Sequence, residues 1–147
     1  MSAVPSVFSR IIAGELPGHV VWADQRAVAF LSINPLKRGH TLVVPREEVD
    51  HWLDLDADLL AHLSEVARRV GRAQQRAFDP ERVGMMIAGL EVPHVHLHVV
   101  PIDGVHDLDF ANAAASVPDD ELASAAEAIR AELRELGEPH VADGPVA

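Results

Sequence analysis

The chain has no cysteine. That excludes a disulfide framework, a cysteine nucleophile and every thiolate zinc site. It also lacks an apolar run near the roughly 18–20 residues that a membrane helix needs. The first residues, Met1-Ser-Ala-Val-Pro-Ser, have no basic region followed by an apolar stretch, so no signal peptide is expected and the expected location is cytoplasmic. Lysine occurs once, against eleven arginines, a bias that with abundant alanine fits GC-rich bacterial coding. Positive charge as a whole is scarce. Twelve Lys and Arg face 23 Asp and Glu, a net charge of −11, which argues against binding a nucleic acid polymer.

The negative charge is concentrated at one end. Residues 1–50 are neutral, residues 51–100 carry −2 and residues 101–147 carry −9. A small anionic substrate therefore meets little repulsion in the first two thirds. The length, 147 residues with 48% hydrophobic and 24% charged, suits one folded domain over 1–147.

Apolar spacing predicts eight elements. A short helix covers Ser6–Ala13, stopped by Gly14 and Pro17-Gly18. Strands follow at His19–Ala23, Ala27–Ser32 and His40–Pro45, the first two joined by a turn at Asp24. A long helix opens at Asp56, taken as its N-cap, and ends at Phe78 before Asp79-Pro80. Leu59, Leu63, Val66, Val70 and Ala77 form its apolar stripe. Strands at Val83–Ala88 and His94–Val100, a loop over 102–117 and a helix at Asp119–Leu136 complete the chain, with Gly137 as the final stop. Short connections and one long helix predict an α+β fold, an antiparallel sheet with helices packed on it.

The segment Pro93-His-Val-His-Leu-His-Val-Val-Pro101 carries the chemistry. In a strand, His94, His96 and His98 share one face at about 7 Å intervals, and Val95, Leu97 and Val99 share the other. A lone strand histidine is ordinarily structural or solvated. Three on one face are costly to bury unpaired and point to a site. Two chemistries fit. One imidazole attacks phosphorus while its neighbours set its tautomer and bind phosphate oxygens, or the imidazoles ligate a metal.

His-Val-His-Leu-His-Val-Val matches the signature of the histidine-triad (HIT) superfamily, which this chain resembles. Phe8-Ser-Arg-Ile-Ile-Ala-Gly-Glu-Leu-Pro, Ala29-Phe-Leu-Ser-Ile-Asn-Pro and Gly39-His-Thr-Leu-Val-Val-Pro resemble the family's earlier blocks in order and spacing, so the likeness covers about residues 6–101. The third histidine favours the hydrolase branches. The resemblance implies the HIT-like fold, a five-stranded antiparallel sheet with one long helix and a C-terminal helix, usually in a homodimer. It implies His96 as nucleophile on the α-phosphate of a purine nucleotide, with His94 and His98 orienting it and His40 completing a tetrad. Phe8, Ile11, Phe30 and Ile33 would wall the purine pocket, though each alone could be plain core. Gly89 matches a glycine whose backbone approaches the phosphate.

The chain departs from the family pattern at three places. Ser32 stands where an aspartate often grips the ribose. Ser6 and Ser9 stand where many bacterial relatives have zinc-binding cysteines, so no metal or other cofactor is expected. The loop before the triad is short, and Glu91 falls on a serine position, where it could act as a general acid if its pKa were raised. The expected function is hydrolysis of a purine nucleoside 5′-monophosphate conjugate, a phosphoramidate or dinucleoside polyphosphate, through a nucleotidyl-histidine. A non-catalytic nucleotide-binding module is the alternative, and a histidine-ligated metalloenzyme the third. The remaining histidines (19, 51, 62, 106 and 140) and the Lys37-Arg38 pair read as surface groups.

Overall fold

Alternation of side chains along five strands decides what each face of one sheet covers. In a computed structural model describing residues 4–147, the chain forms α1 (Val7–Ile12), β1 (Val20–Ala23), β2 (Ala27–Leu31) and β3 (Thr41–Pro45), then α2 (Ala57–Phe78), β4 (Arg82–Met86), β5 (Leu97–Ile102) and α3 (Asp119–Glu135). The strands make one antiparallel sheet in the order β1-β2-β3-β5-β4. This is the expected five-stranded α+β architecture. No helix among the described residues is long and apolar enough to cross a membrane.

One face carries Val21, Ala29, Val43, Val95, Leu97 and Val99 and packs against α2 and α3. The predicted stripe of α2 is buried there through Leu59, Leu63, Val66 and Val70, each fully buried Leu or Val contributing about 1.5–3 kcal/mol. Ala77 is only half-buried. The other face carries Val20, Val28, Phe30, Leu42 and Val44 beneath α1, whose Phe8 and Ile12 cover it. Across that face the register aligns Phe30 with Leu42, Leu42 with His98, and His98 with Met86. A functional row therefore grows out of an apolar one.

Three details differ from the sequence reading in ways that matter. First, β5 begins at Leu97, not His94. Its pairing with β3 ends at Val43–Leu97 and with β4 at Met86–His98. Continuing the first register would set Val95 opposite Pro45, which has no N–H to give. Val95 instead donates to Val49 O at 2.8 Å. Second, Asp56 is the N-cap of α2 as expected, but its side chain makes no capping bond. Third, 102–117 contains two short 3-10 turns, Val105–Leu108 and Phe110–Asn112, and Ala114 N donates to Pro35 O. At the end of α3 the expected stop holds. Gly137 has φ +76°, and the bonds Gly137 N to Arg134 O and Glu138 N to Leu133 O form a Schellman motif.

Candidate active site

His40 enters from the loop before β3, His96 from the segment running into β5, and His98 from β5 itself. Each is almost fully buried. The hydrogen bonds fix which nitrogen of each ring carries its proton. Leu36 N–H donates to His40 Nδ1 at 3.0 Å, so the neutral His40 ring holds its proton on Nε2. That nitrogen lies 2.9 Å from His98 Nδ1 and donates to it. His98 must then carry its own proton on Nε2, a buried donor with no partner among the described residues. His96 is set oppositely. Its Nδ1 is 2.8 Å from His94 O, a pure acceptor, so Nδ1 is the donor and in the neutral ring Nε2 keeps the lone pair.

The two rings stand side by side, centroids 4.8 Å apart. Phe8 packs edge-on to His96 at 4.9 Å and Phe110 to His98 at 5.1 Å. Burial, with His98 and His96 beside it, pushes His40 down to about 3. Burial and then His96 push His98 down to about 4, although Glu91 pulls the other way. Both rings are therefore neutral at physiological pH, as the proton assignment requires.

These rings border a cavity of about 630 Å³, within the roughly 300–1,000 Å³ of small-molecule sites. Of the residues singled out from the sequence, Phe8, Ile11, Phe30, Ser32, Ile33, His40, Glu91, His96 and His98 line it. Two do not. Gly89 lies outside the lining and takes φ +80° in the loop, a conformation that glycine adopts without strain. His94 also lies outside, fully buried, with Nε2 donating to Pro45 O at 2.7 Å and Nδ1 at 2.6 Å from Ser6 Oγ. Burial lowers its pKa, against the pull of the Pro45 carbonyl.

Sequence reasoning missed Phe110, Ala113, Leu16 and Asn34, which also border the cavity. Asn34 donates to Ala114 O at 3.0 Å and Ala115 O at 2.9 Å and so fastens the segment that carries Phe110. One signal was available: Phe110 is one of only four phenylalanines. The Lys37-Arg38 pair stays away from the cavity. Lys37 pairs with Asp103 at 3.4 Å, and Arg38 lies over the Phe78 ring at 5.1 Å.

Two arrangements bear on metals. Donor atoms of Glu91, His96 and His98 lie within 4.8 Å of one another, near enough to share an ion. Yet the Leu36–His40–His98 chain puts a proton on His98 Nε2, and a protonated nitrogen has no lone pair to give. Ser6 and Ser9 do not fit a zinc site either. They offer hydroxyls where zinc takes thiolates or imidazoles. The same hydroxyls are committed to His94 and Glu48.

The HIT domain model matches residues 13–105, more than half of the chain, which therefore belongs to the HIT family. An uncharacterized HIT-like protein of Methanocaldococcus jannaschii is 37% identical over 99 residues, covering 65% of this chain and 77% of its own. A hypothetical histidine triad nucleotide-binding protein from Sulfolobus tokodaii superposes with TM-score 0.78 at 26% identity, covering 88% of this chain and 92% of that one. A zinc-bound histidine triad family protein from Mycobacterium smegmatis superposes with TM-score 0.77 at 27% identity, covering 89% and 94%.

Proposed function

We propose that the protein hydrolyses a purine nucleoside 5′-monophosphate conjugate, a phosphoramidate or dinucleoside polyphosphate, by way of a nucleotidyl-His96. One observation carries the reading: a lone pair on His96 Nε2 and an unpartnered N–H on His98 Nε2 stand together beside one apolar cavity. The base lies among Phe8, Ile11, Phe30 and Ile33, and the ribose near Ser32. His96 Nε2 attacks the α-phosphorus while His98 Nε2–H binds a non-bridging oxygen as charge develops there. The phosphorus–leaving-group bond breaks, and the departing nitrogen or oxygen takes a proton. Glu91, whose Oε2 is 3.9 Å from His96 Nε2, is the nearby group that supplies it, entering the step as the protonated carboxylic acid. Water then attacks phosphorus, returns a proton to Glu91 and frees the nucleoside monophosphate and His96. The site is one of a pair in a homodimer joined along β4, the sheet edge whose ladder groups face outward, with Met85 53% exposed.

Glu91 also favours a second reading, a nucleotide-binding module without turnover. Its carboxylate stands where the phosphate must arrive, and like charges repel. AMP release from adenosine 5′-phosphoramidate in excess EDTA tests both. The hydrolase releases AMP, and His96→Ala abolishes release while AMP binding stays near that of the unmutated protein. AMP binding without release by the unmutated protein establishes the module instead. Release by His96→Ala at the original rate removes His96 as nucleophile.

A further inference from the structure

His96 does not sit in the regular sheet. Ladder pairing with β3 begins at Leu97 and pairing with β4 at His98. The residues just before depend on two backbone bonds, Val95 N to Val49 O and His94 N to Val92 O. The acceptor that sets the His96 tautomer, His94 O, belongs to this unsupported stretch. Something other than the sheet has to hold it.

We infer that Ser6 and Glu48 are positioning residues, which clamp the His94 ring and through it fix the tautomer and place of His96. The bonds form a closed set. Glu48 Oε1 accepts from Ser6 N at 2.6 Å and from Ser9 Oγ at 2.7 Å. Ser6 Oγ accepts from Ser9 N at 3.0 Å, which leaves its own proton for His94 Nδ1 at 2.6 Å. His94 Nε2–H closes the set on Pro45 O at 2.7 Å. Each end of the His94 ring is thus occupied, one by a hydroxyl donor and one by a carbonyl acceptor, and only one neutral tautomer satisfies both. With the ring pinned, His94 O is held where His96 Nδ1–H can reach it. Neither Ser6 nor Glu48 borders the cavity, so the clamp acts through His94 and not on the nucleotide.

The clamp also ties the site to α1. Ser6 is the N-cap of that helix, and Phe8, two residues on, packs edge-on to both His94 and His96, at 5.7 and 4.9 Å. One serine therefore sets the ring that reacts and the ring beside it.

This rests on His96 as nucleophile, but its test has a part that needs no turnover. Ser6→Gly removes the hydroxyl at little harm to the helix start, because glycine is a tolerable N-cap. In 15N-histidine spectra of the free protein, His94 shows a bare Nδ1 and a protonated Nε2. Ser6→Gly mixes the His94 tautomers and shifts the His96 Nδ1–H signal. It lowers kcat about 10-fold with KM within about 2-fold, the mark of a misplaced reacting group. Ser6→Thr, which keeps the hydroxyl, restores both readouts. Glu48→Ala moves the same signals the same way and serves if Ser6→Gly does not fold. Unchanged His94 and His96 signals in Ser6→Gly overturn the clamp, as does Ser6→Thr behaving like Ser6→Gly, or an unchanged kcat where the signals move. If the unmutated protein releases no nucleotide, the spectra alone decide the clamp, and only the hydrolase reading fails.

Discussion

The proton on His98 Nε2 is placed by a backbone amide that never touches it. Leu36 N–H fills His40 Nδ1, His40 fills His98 Nδ1, and the free N–H emerges two rings away. A buried donor without a partner costs about 1–3 kcal/mol, so an arrangement that keeps one is paid back when a ligand oxygen arrives. Glu91 works at the same scale. Its carboxyl is 47% exposed, with Oε2 3.9 Å from His96 Nε2. Glu91→Gln is expected to slow hydrolysis of conjugates with poor leaving groups about 10²-fold and those with good ones much less, in the range of general acid catalysis. Steady-state rates across amines of graded basicity measure this, and equal losses for all of them remove the proton-transfer role.

The elements deliver these residues by their register and their connections. The row Phe30, Leu42, His98, Met86 is a property of strand pairing, and His40 hangs on the turn that leads into β3. Gly39 makes that turn possible. Its φ is +91°, and a Cβ there would run into the ring of Phe78 at the end of α2. Gly39→Ala therefore meets both backbone strain and a clash. It is expected to cost about 1–3 kcal/mol in stability, read by denaturant unfolding. Because His40 is the next residue, its ring moves off His98, and AMP affinity falls in the same variant. Gln74 supports the same turn from α2, donating to Gly39 O and Val99 O at 2.9 Å each.

At the scale of the whole molecule, burial of the imidazoles links stability to pH. The unfolded chain takes up a proton on each histidine near its ordinary value of 6.5, whereas folded His98 and His40 resist until about 4 and about 3. Between those limits the unfolded state binds more protons, so stability rises with pH. The full stability is present above about 6.5 and is lost as the pH falls through 6 and 5 toward 3. Melting temperature followed from pH 8 to pH 4 is expected to fall, and His98→Asn is expected to flatten that curve. A melting temperature independent of pH over this range would mean that the rings are not held neutral. The acidic C-terminal third lies apart from this effect. Just under half of its net charge, −4 of −9, rides on α3, where Asp119, Asp120 and Glu121 stand in the first turn and favour the helix dipole.

The apolar periods, the turn residues and the His-x-His-x-His spacing are local properties. They were enough to determine the element order, the core stripe of α2 and the shared face of His96 and His98, while the half of the cavity wall that was foreseen came from the family resemblance. Alternation in a strand needs no knowledge of the partner strand. Pairing and packing do need it. That β5 starts at Leu97 depends on where β3 and β4 stop opposite it, and Pro45 and Met86 are remote in sequence. That His94 faces Ser6 and Pro45 instead of the cavity, that Phe110 returns to His98, and that Leu36 dictates a proton on His98 all join residues that no periodicity relates. A sequence states which side chains can bear a proton. Which nitrogen bears it is decided by the donors and acceptors that tertiary structure sets against each ring, and that choice separates a nitrogen with a lone pair from one that can only donate.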